Sequence, residues 1–220
     1  MHSGHDAERA VQAAADEAAK IHLRRARLAD PVSTAWLVDR FSPLLRLDAE
    51  HRLKAPLGMI YDAEELVQET WARALPRLGD VPPDAPRASL ALTKFLAERQ
   101  FEIVMELVRR HVAGGDKTVL GLKTPEAAER YADLSAETRA TVSSVTGREG
   151  GRSMAEAFSA LSEGERELVV MRGIEQRSYD DIAAVVDRDA GAVAADYRRA
   201  LQKLRDLLPG SLFDELPDDG

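Results

Sequence analysis

Three helix-start signals fall close together near the C-terminal end, and they leave room only for short helices joined by tight turns. Ser162 and Glu165 stand at the spacing of a capping box, and Leu168, Val169 and Met171 follow as the apolar side. Arg172-Gly173 reads as a cationic last turn and a glycine stop. Ser178 opens a second helix running to Val186, with Ile182, Ala183, Val185 and Val186 inward. Asp187 to Asp189 reads as a tight turn. Asp189 then caps a longer helix whose apolar stripe is Val193, Tyr197, Ala200, Leu201, Leu204 and Leu208. A short capped helix, a brief turn and a longer helix with exposed arginines make the helix-turn-helix pattern.

Helical periodicity continues almost everywhere upstream, and no stretch alternates like a strand for long. Aromatic residues are only 5% of the chain, which disfavours a sheet core. The expected fold class is therefore all-α: two helical domains joined by a linker, the C-terminal one a four-helix domain containing the helix-turn-helix. Residues 1–30 read as a polar, Ala-rich helical extension that ends in Arg24, Arg25 and Arg27. With few apolar anchors, it is expected to order only against a partner. Residues 31–112 form a first helical domain. Trp36, Leu37, Phe41, Leu44, Leu45 and Leu47 mark one amphipathic segment, with a bend expected at Pro43. Asp62 and Glu65 open the next helix as N-cap and N3. Its apolar positions are Leu66, Val67, Thr70, Trp71, Ala74 and Leu75, and Pro76 ends it. A third helix spans about Leu90 to His111. Residues 113–151 form a linker with a helix start at Thr124-Pro125-Glu126. The second domain covers 152–210, and 211–220 is an acidic tail, expected to be mobile from Asp214 onward.

Composition excludes several classes of function. There is no cysteine, hence no disulfide, thiolate metal site or cysteine nucleophile. No apolar run approaches the roughly 20 residues that span a bilayer. Residues 1–20 lack the apolar segment of a signal peptide. The expectation is a cytoplasmic protein with no membrane insertion. Phosphate loops, dinucleotide glycine fingerprints and metal-binding His helices are all missing, and the five histidines are scattered. No catalytic residue, cofactor or metal is expected. The net charge of −8 counts against wholesale nucleic-acid binding, so any such binding must come from a local basic face.

Two segments carry a resemblance. Asp62-Ala63-Glu64-Glu65-Leu66-Val67-Gln68-Glu69-Thr70-Trp71 is similar to the D-A-E-D-L-V-Q-E-T-F signature in the first domain of extracytoplasmic-function (ECF, group 4) sigma factors of the sigma-70 family. Ala160-Leu161, Glu165 to Leu168 and Ser178-Tyr179-Asp180-Asp181-Ile182-Ala183 resemble the opening of that family's second domain. Tyr197 to Leu201, with Lys203 to Arg205, resembles its end. The likeness covers roughly Pro31 to Pro209, with both motifs in the family's order.

The resemblance implies a non-enzymatic adaptor with core RNA polymerase and promoter DNA as partners, and an anti-sigma protein as a further one. It implies that Asp62, Glu64, Glu65, Gln68 and Glu69 present an acidic and amide face to a basic coiled coil of polymerase. Charge reversal at Glu65 and Glu69 is then expected to abolish docking and leave the fold intact. Promoter contact would fall to Arg188, Gly191, Ala195, Arg198, Arg199, Lys203 and Arg205. Their five cations against Asp189 and Asp196 leave a local balance of +3. The melted strand would meet Lys94, Arg99, Arg109 and Arg110, with Phe95 and Phe101 expected in the core. Ala194, Ala195 and Asp196 depart from the polar or basic residues usual in the family, as Glu98 and Glu102 do in the first domain. These departures motivate the alternative of a sigma-like regulatory protein that binds polymerase or a regulator without opening promoters.

Overall fold

In the computed structural model the described residues are 3–53, 57–82, 85–112, 156–209 and 211–217, with side chains described from 13 to 109 in the first half. The linker, its Thr124-Pro125-Glu126 helix start and the first residues of the second domain lie outside the described residues.

The N-terminal half is built from α1 (Ser3–Ala26), α2 (Pro31–Arg52), α3 (Ala63–Ala74) and α4 (Ala88–Val112). In the C-terminal half a helical turn at 156–159 precedes α5 (Glu163–Leu168), which runs on as a π-helical turn, Val169–Ile174. Then come α6 (Tyr179–Val186) and α7 (Ala190–Leu207). No strand occurs among the described residues, so the fold is all-α as expected. No helix among them is long and apolar enough to cross a membrane.

Local chemistry sets the helix ends. Asp30 caps α2 by accepting from the Ser33 amide at 2.9 Å, with Pro31 filling a first-turn position. At Pro43, where a bend is expected, α2 runs on without interruption. The carbonyl that proline cannot serve belongs to Asp39, on the exposed side, where water can take it. Pro76 does end α3, which passes into a 3-10 turn, Leu75–Asp80.

Three helices of the N-terminal half meet on one buried amide. Gln100 of α4 donates to the Leu45 carbonyl (2.9 Å) and to Asp48 (3.0 Å) of α2, and it accepts from Thr70 of α3 (3.2 Å). Fully enclosed and satisfied on both ends, it fixes the register of α2, α3 and α4.

The partner that orders the N-terminal helix is the chain itself. Ala19, Leu23 and Ala26 of α1 are buried, and α1 lies along α2 and α4. Asp16 accepts from the Ser89 amide at 3.0 Å, capping the start of α4 from a distant part of the sequence. Arg27 donates to the carbonyls of Leu78 (3.0 Å) and Val81.

Two expectations about the C-terminal half are corrected. Gly173 is not a stop, because the helix continues through it to Ile174 and turns at Gln176, whose φ of 56° is left-handed. Nor is the tail mobile from Asp214 as far as it is described. Leu212, Phe213, Glu215 and Leu216 are all buried. Apolar side chains at Leu212, Phe213 and Leu216 gain more from burial than the acidic neighbours lose, because Glu215 finds a cation.

The two halves touch. Their buried apolar side chains form one continuous cluster, from Leu23 to Leu216. Polar contacts across the seam join Arg52 to Glu175 (2.9 Å) and Gln176 to the Leu90 carbonyl (2.7 Å).

Candidate nucleic-acid and protein interface

The helix-turn-helix forms as its caps dictate. Ser162 and Glu165 make both bonds of a capping box, at 3.3 and 2.9 Å. Ser178 accepts from the Asp181 amide at 3.1 Å. Asp187 takes the left-handed conformation (φ 52°, ψ 54°), and the Arg188 amide returns to the Ala183 carbonyl at 3.1 Å, closing α6. Asp189 then caps α7 through the Ala192 amide, also at 3.1 Å. Val193, Tyr197, Ala200, Leu201 and Leu204 are buried, with Leu208 packed beside them. On α6, Ile182 is buried, but Val185 is 62% exposed, correcting its inward assignment. A helix of this length offers only one face to α7, and Val185 lies off it.

The opposite face of α7 is exposed and carries the candidate DNA residues. Gly191 and Arg198 are exposed, Ala195 is half-buried, and Arg198 makes no ion pair among the described residues. Arg188 and Arg199 both pair with Asp196, one on each carboxylate oxygen. The Arg188 hydrogen bond, with Arg199 alongside, holds the Asp196 carboxyl below the usual carboxylate range. Lys203 pairs with Glu165 at 2.6 Å. Arg205 is not a free cation. It is half-buried and donates to the carbonyls of Phe213 (3.1 Å) and Leu216 (3.4 Å), so its length is spent on the tail. The expected balance of +3 is thus mostly committed internally, and Arg198 stands clear.

This arrangement makes a prediction. Asp196→Ala releases Arg188 and Arg199 toward phosphate, so duplex DNA binding tightens. The slope of log K against log salt steepens by up to about 2, at roughly 0.9 per added phosphate contact. Fluorescence-anisotropy titrations across a salt series measure it. An unchanged slope means that Asp196 does not restrain the two arginines.

On α3, Asp62 is exposed and accepts from the Glu64 amide at 2.6 Å. Glu64, Glu65 and Gln68 are half-buried, and Glu64 pairs with Arg46 of α2. Glu69 is the correction here. It is buried and bonded to Arg73 (2.7 Å), which forks onto Glu106 of α4 at 2.9 and 3.0 Å. An aliphatic stem one turn from Leu66 and Ala72, both buried, draws Glu69 inward, and the guanidinium makes its burial tolerable. Reversing Glu69 would therefore disturb the fold, contrary to the sequence expectation.

The α4 face is mixed. Lys94 and Arg109 are exposed, while Arg99 lies 5.5 Å over the Phe95 ring and pairs with Glu102 at 2.9 Å. The side chain of Arg110 lies outside the described residues. Phe95 is buried as expected. Phe101 is not, being 47% exposed with Arg52 stacked at 5.1 Å. No group of residues suited to a metal ion occurs among the described residues.

Sequence reasoning missed Arg40, Asp48, Arg52 and Glu215, which link elements far apart in the chain. Of these only Glu215 had a local signal, the apolar triplet Leu212, Phe213 and Leu216 around it.

Among families of known proteins, the one described as Sigma-70, region 4, matches residues 151–204. No curated protein matches the chain, and no solved structure does. The match covers the capping box, α5, α6, the turn and most of α7.

Proposed function

We propose that the chain is a sigma factor of the sigma-70 family, of the extracytoplasmic-function kind, acting as a cytoplasmic adaptor in transcription initiation. The observation that carries this reading is the region 4 match falling on a helix-turn-helix whose outer face presents Arg198 with Arg188 and Arg199 beside it. A helix of this kind lies in a major groove with its exposed cations toward phosphates and base edges. With Ala194 and Ala195 unable to donate, base reading rests on the arginines, on apolar contact with thymine methyls and on groove shape.

In this reading α3 docks on core polymerase through Asp62, Glu65 and Gln68, with Glu64 at the edge. The α4 face, with Lys94, Arg99, Arg109, Arg110 and Phe101, meets the opened strand. The linker 113–151 joins the two contacts, each of which raises the effective concentration of the other. An anti-sigma protein is a further partner that the reading admits. The acidic Glu98 and Glu102 and the neutralised Arg188 and Arg199 favour a second reading, in which the chain binds polymerase but opens no promoter.

The test of docking is Glu65→Lys with Gln68→Lys, two half-exposed positions of α3. Capture of core polymerase by the variant is expected to fall at least tenfold, with the helical circular dichroism unchanged. Undiminished capture would overturn the assignment of α3.

A further inference from the structure

The C-terminal segment sits between the two halves and bonds to both. We propose that residues 211–217 form a releasable clasp that locks the helix-turn-helix half against the N-terminal half, with Glu215 as its latch.

On the helix-turn-helix side the seat is shaped for it. Ser211 caps a single 3-10 turn, Leu212–Asp214, and Phe213 is fully enclosed. Leu216 lies against Gly173 so closely that a Cβ there would come within 2.8 Å of its methyl group. Tyr197, itself fully buried, donates its hydroxyl to the Pro217 carbonyl at 2.8 Å. Arg205 holds the carbonyls of Phe213 and Leu216. A glycine, a tyrosine and an arginine from π-turn and α7 thus converge on one short stretch of backbone.

On the other side the segment lies against α2 and bonds to the N-terminal half through Glu215. The Glu215 carboxylate, only 2% exposed as a residue, pairs with Arg40 of α2, and its carbonyl accepts from Arg87 just before α4. Arg40 in turn lies 5.6 Å from the Trp36 ring. Glu215 Oε2 and Arg40 Nε have no hydrogen-bond partner among the described residues. An incompletely satisfied buried ion pair adds little net stability, yet removing one partner strands a charge. Such a contact specifies the closed arrangement without making it irreversible.

Closure has a consequence for the faces described above. Glu175, brought in with the helix-turn-helix half, holds Arg52, and Arg52 covers Phe101, the exposed aromatic of α4. The outer face of α7 stays open, with Arg199 71% exposed at its side chain. The closed form therefore leaves DNA reading accessible and holds Arg52 over Phe101, the aromatic of the α4 face. What these faces bind rests on the proposed sigma function; the clasp itself does not.

The chain has no cysteine, so dyes can be placed on Glu98→Cys and Gln202→Cys in the full-length protein. Single-molecule energy transfer between α4 and α7 reads the closed fraction. One high-transfer population is expected, shifting to low transfer in Glu215→Lys and returning when Glu215→Lys is combined with Arg40→Glu. Should Glu215→Lys fail to fold, the milder Glu215→Gln is expected to populate the open form at least tenfold more than the parent does. Transfer unchanged in a folded Glu215→Lys or Glu215→Gln chain overturns the clasp. Core polymerase affinity is a separate arm. Altered transfer with no polymerase binding by any variant counts against the sigma reading and leaves the clasp standing.

Discussion

Replacing Trp71 with alanine is expected to cost the N-terminal half about 3–5 kcal/mol, the range for truncating a large aromatic in a packed core. Trp71 is the largest fully buried side chain among the described residues and sits on α3 between α2 and α4. Its indole N–H donates to Ser42 at 2.9 Å, and the Ser42 hydroxyl donates on to the Val38 carbonyl at 2.6 Å. The truncation removes packing and breaks this chain together, at the helix that carries the candidate polymerase face. Trp71→Phe keeps most of the volume and loses the N–H bond, for an expected cost of about 1–2 kcal/mol. Urea unfolding followed by circular dichroism measures both. A loss under 1 kcal/mol for Trp71→Ala would mean that α3 does not pack as described.

Arg52→Ala is expected to cost about 3–5 kcal/mol at neutral pH, because it strands the buried Asp48 carboxylate and leaves Glu175 with Arg177 alone. Arg52 bonds Asp48 at 2.7 Å within α2 and Glu175 at 2.9 Å across the seam. Burial pushes the Asp48 carboxyl up to about 6, against the opposing pull of Arg52. The folded state thus binds this proton more tightly than the unfolded chain does. Asp48 therefore favours folding most at low pH, and that contribution declines as pH rises from the unfolded value toward 6, then levels off. Without Arg52 the carboxyl is pushed higher still, and the variant continues to lose stability after the parent has levelled. The gap between the two is expected to widen from pH 5 to pH 8, by up to about 1.4 kcal/mol per unit. Urea midpoints at the two pH values check it. A gap independent of pH would show that Asp48 is not the group Arg52 serves.

The parts of the fold set by local chemistry were readable in the sequence. Caps at Asp62, Ser162, Ser178 and Asp189 each act within a turn of their own position, so their residue types suffice to find them. The buried stripe of α7 follows from period alone. What could not be read depends on distant partners. Glu69 looks like one more surface acid until Arg73 and Glu106 are brought beside it. Arg205 looks like a phosphate ligand until the tail returns to it. Glu215 lies in a stretch that charge alone marks as solvated, and its partner Arg40 is 175 positions away. Gly173 has the residue type of a helix stop, but its lack of a side chain serves Leu216 instead. In each case the charge or the glycine was visible and its use was not.

Transcription in vitro with core polymerase from the same cell tests the central claim most directly, using upstream fragments of that genome as templates. The account predicts specific start sites that are lost when Arg198 and Arg199 are both changed to alanine. Polymerase bound in the same reaction with no specific transcript would contradict it.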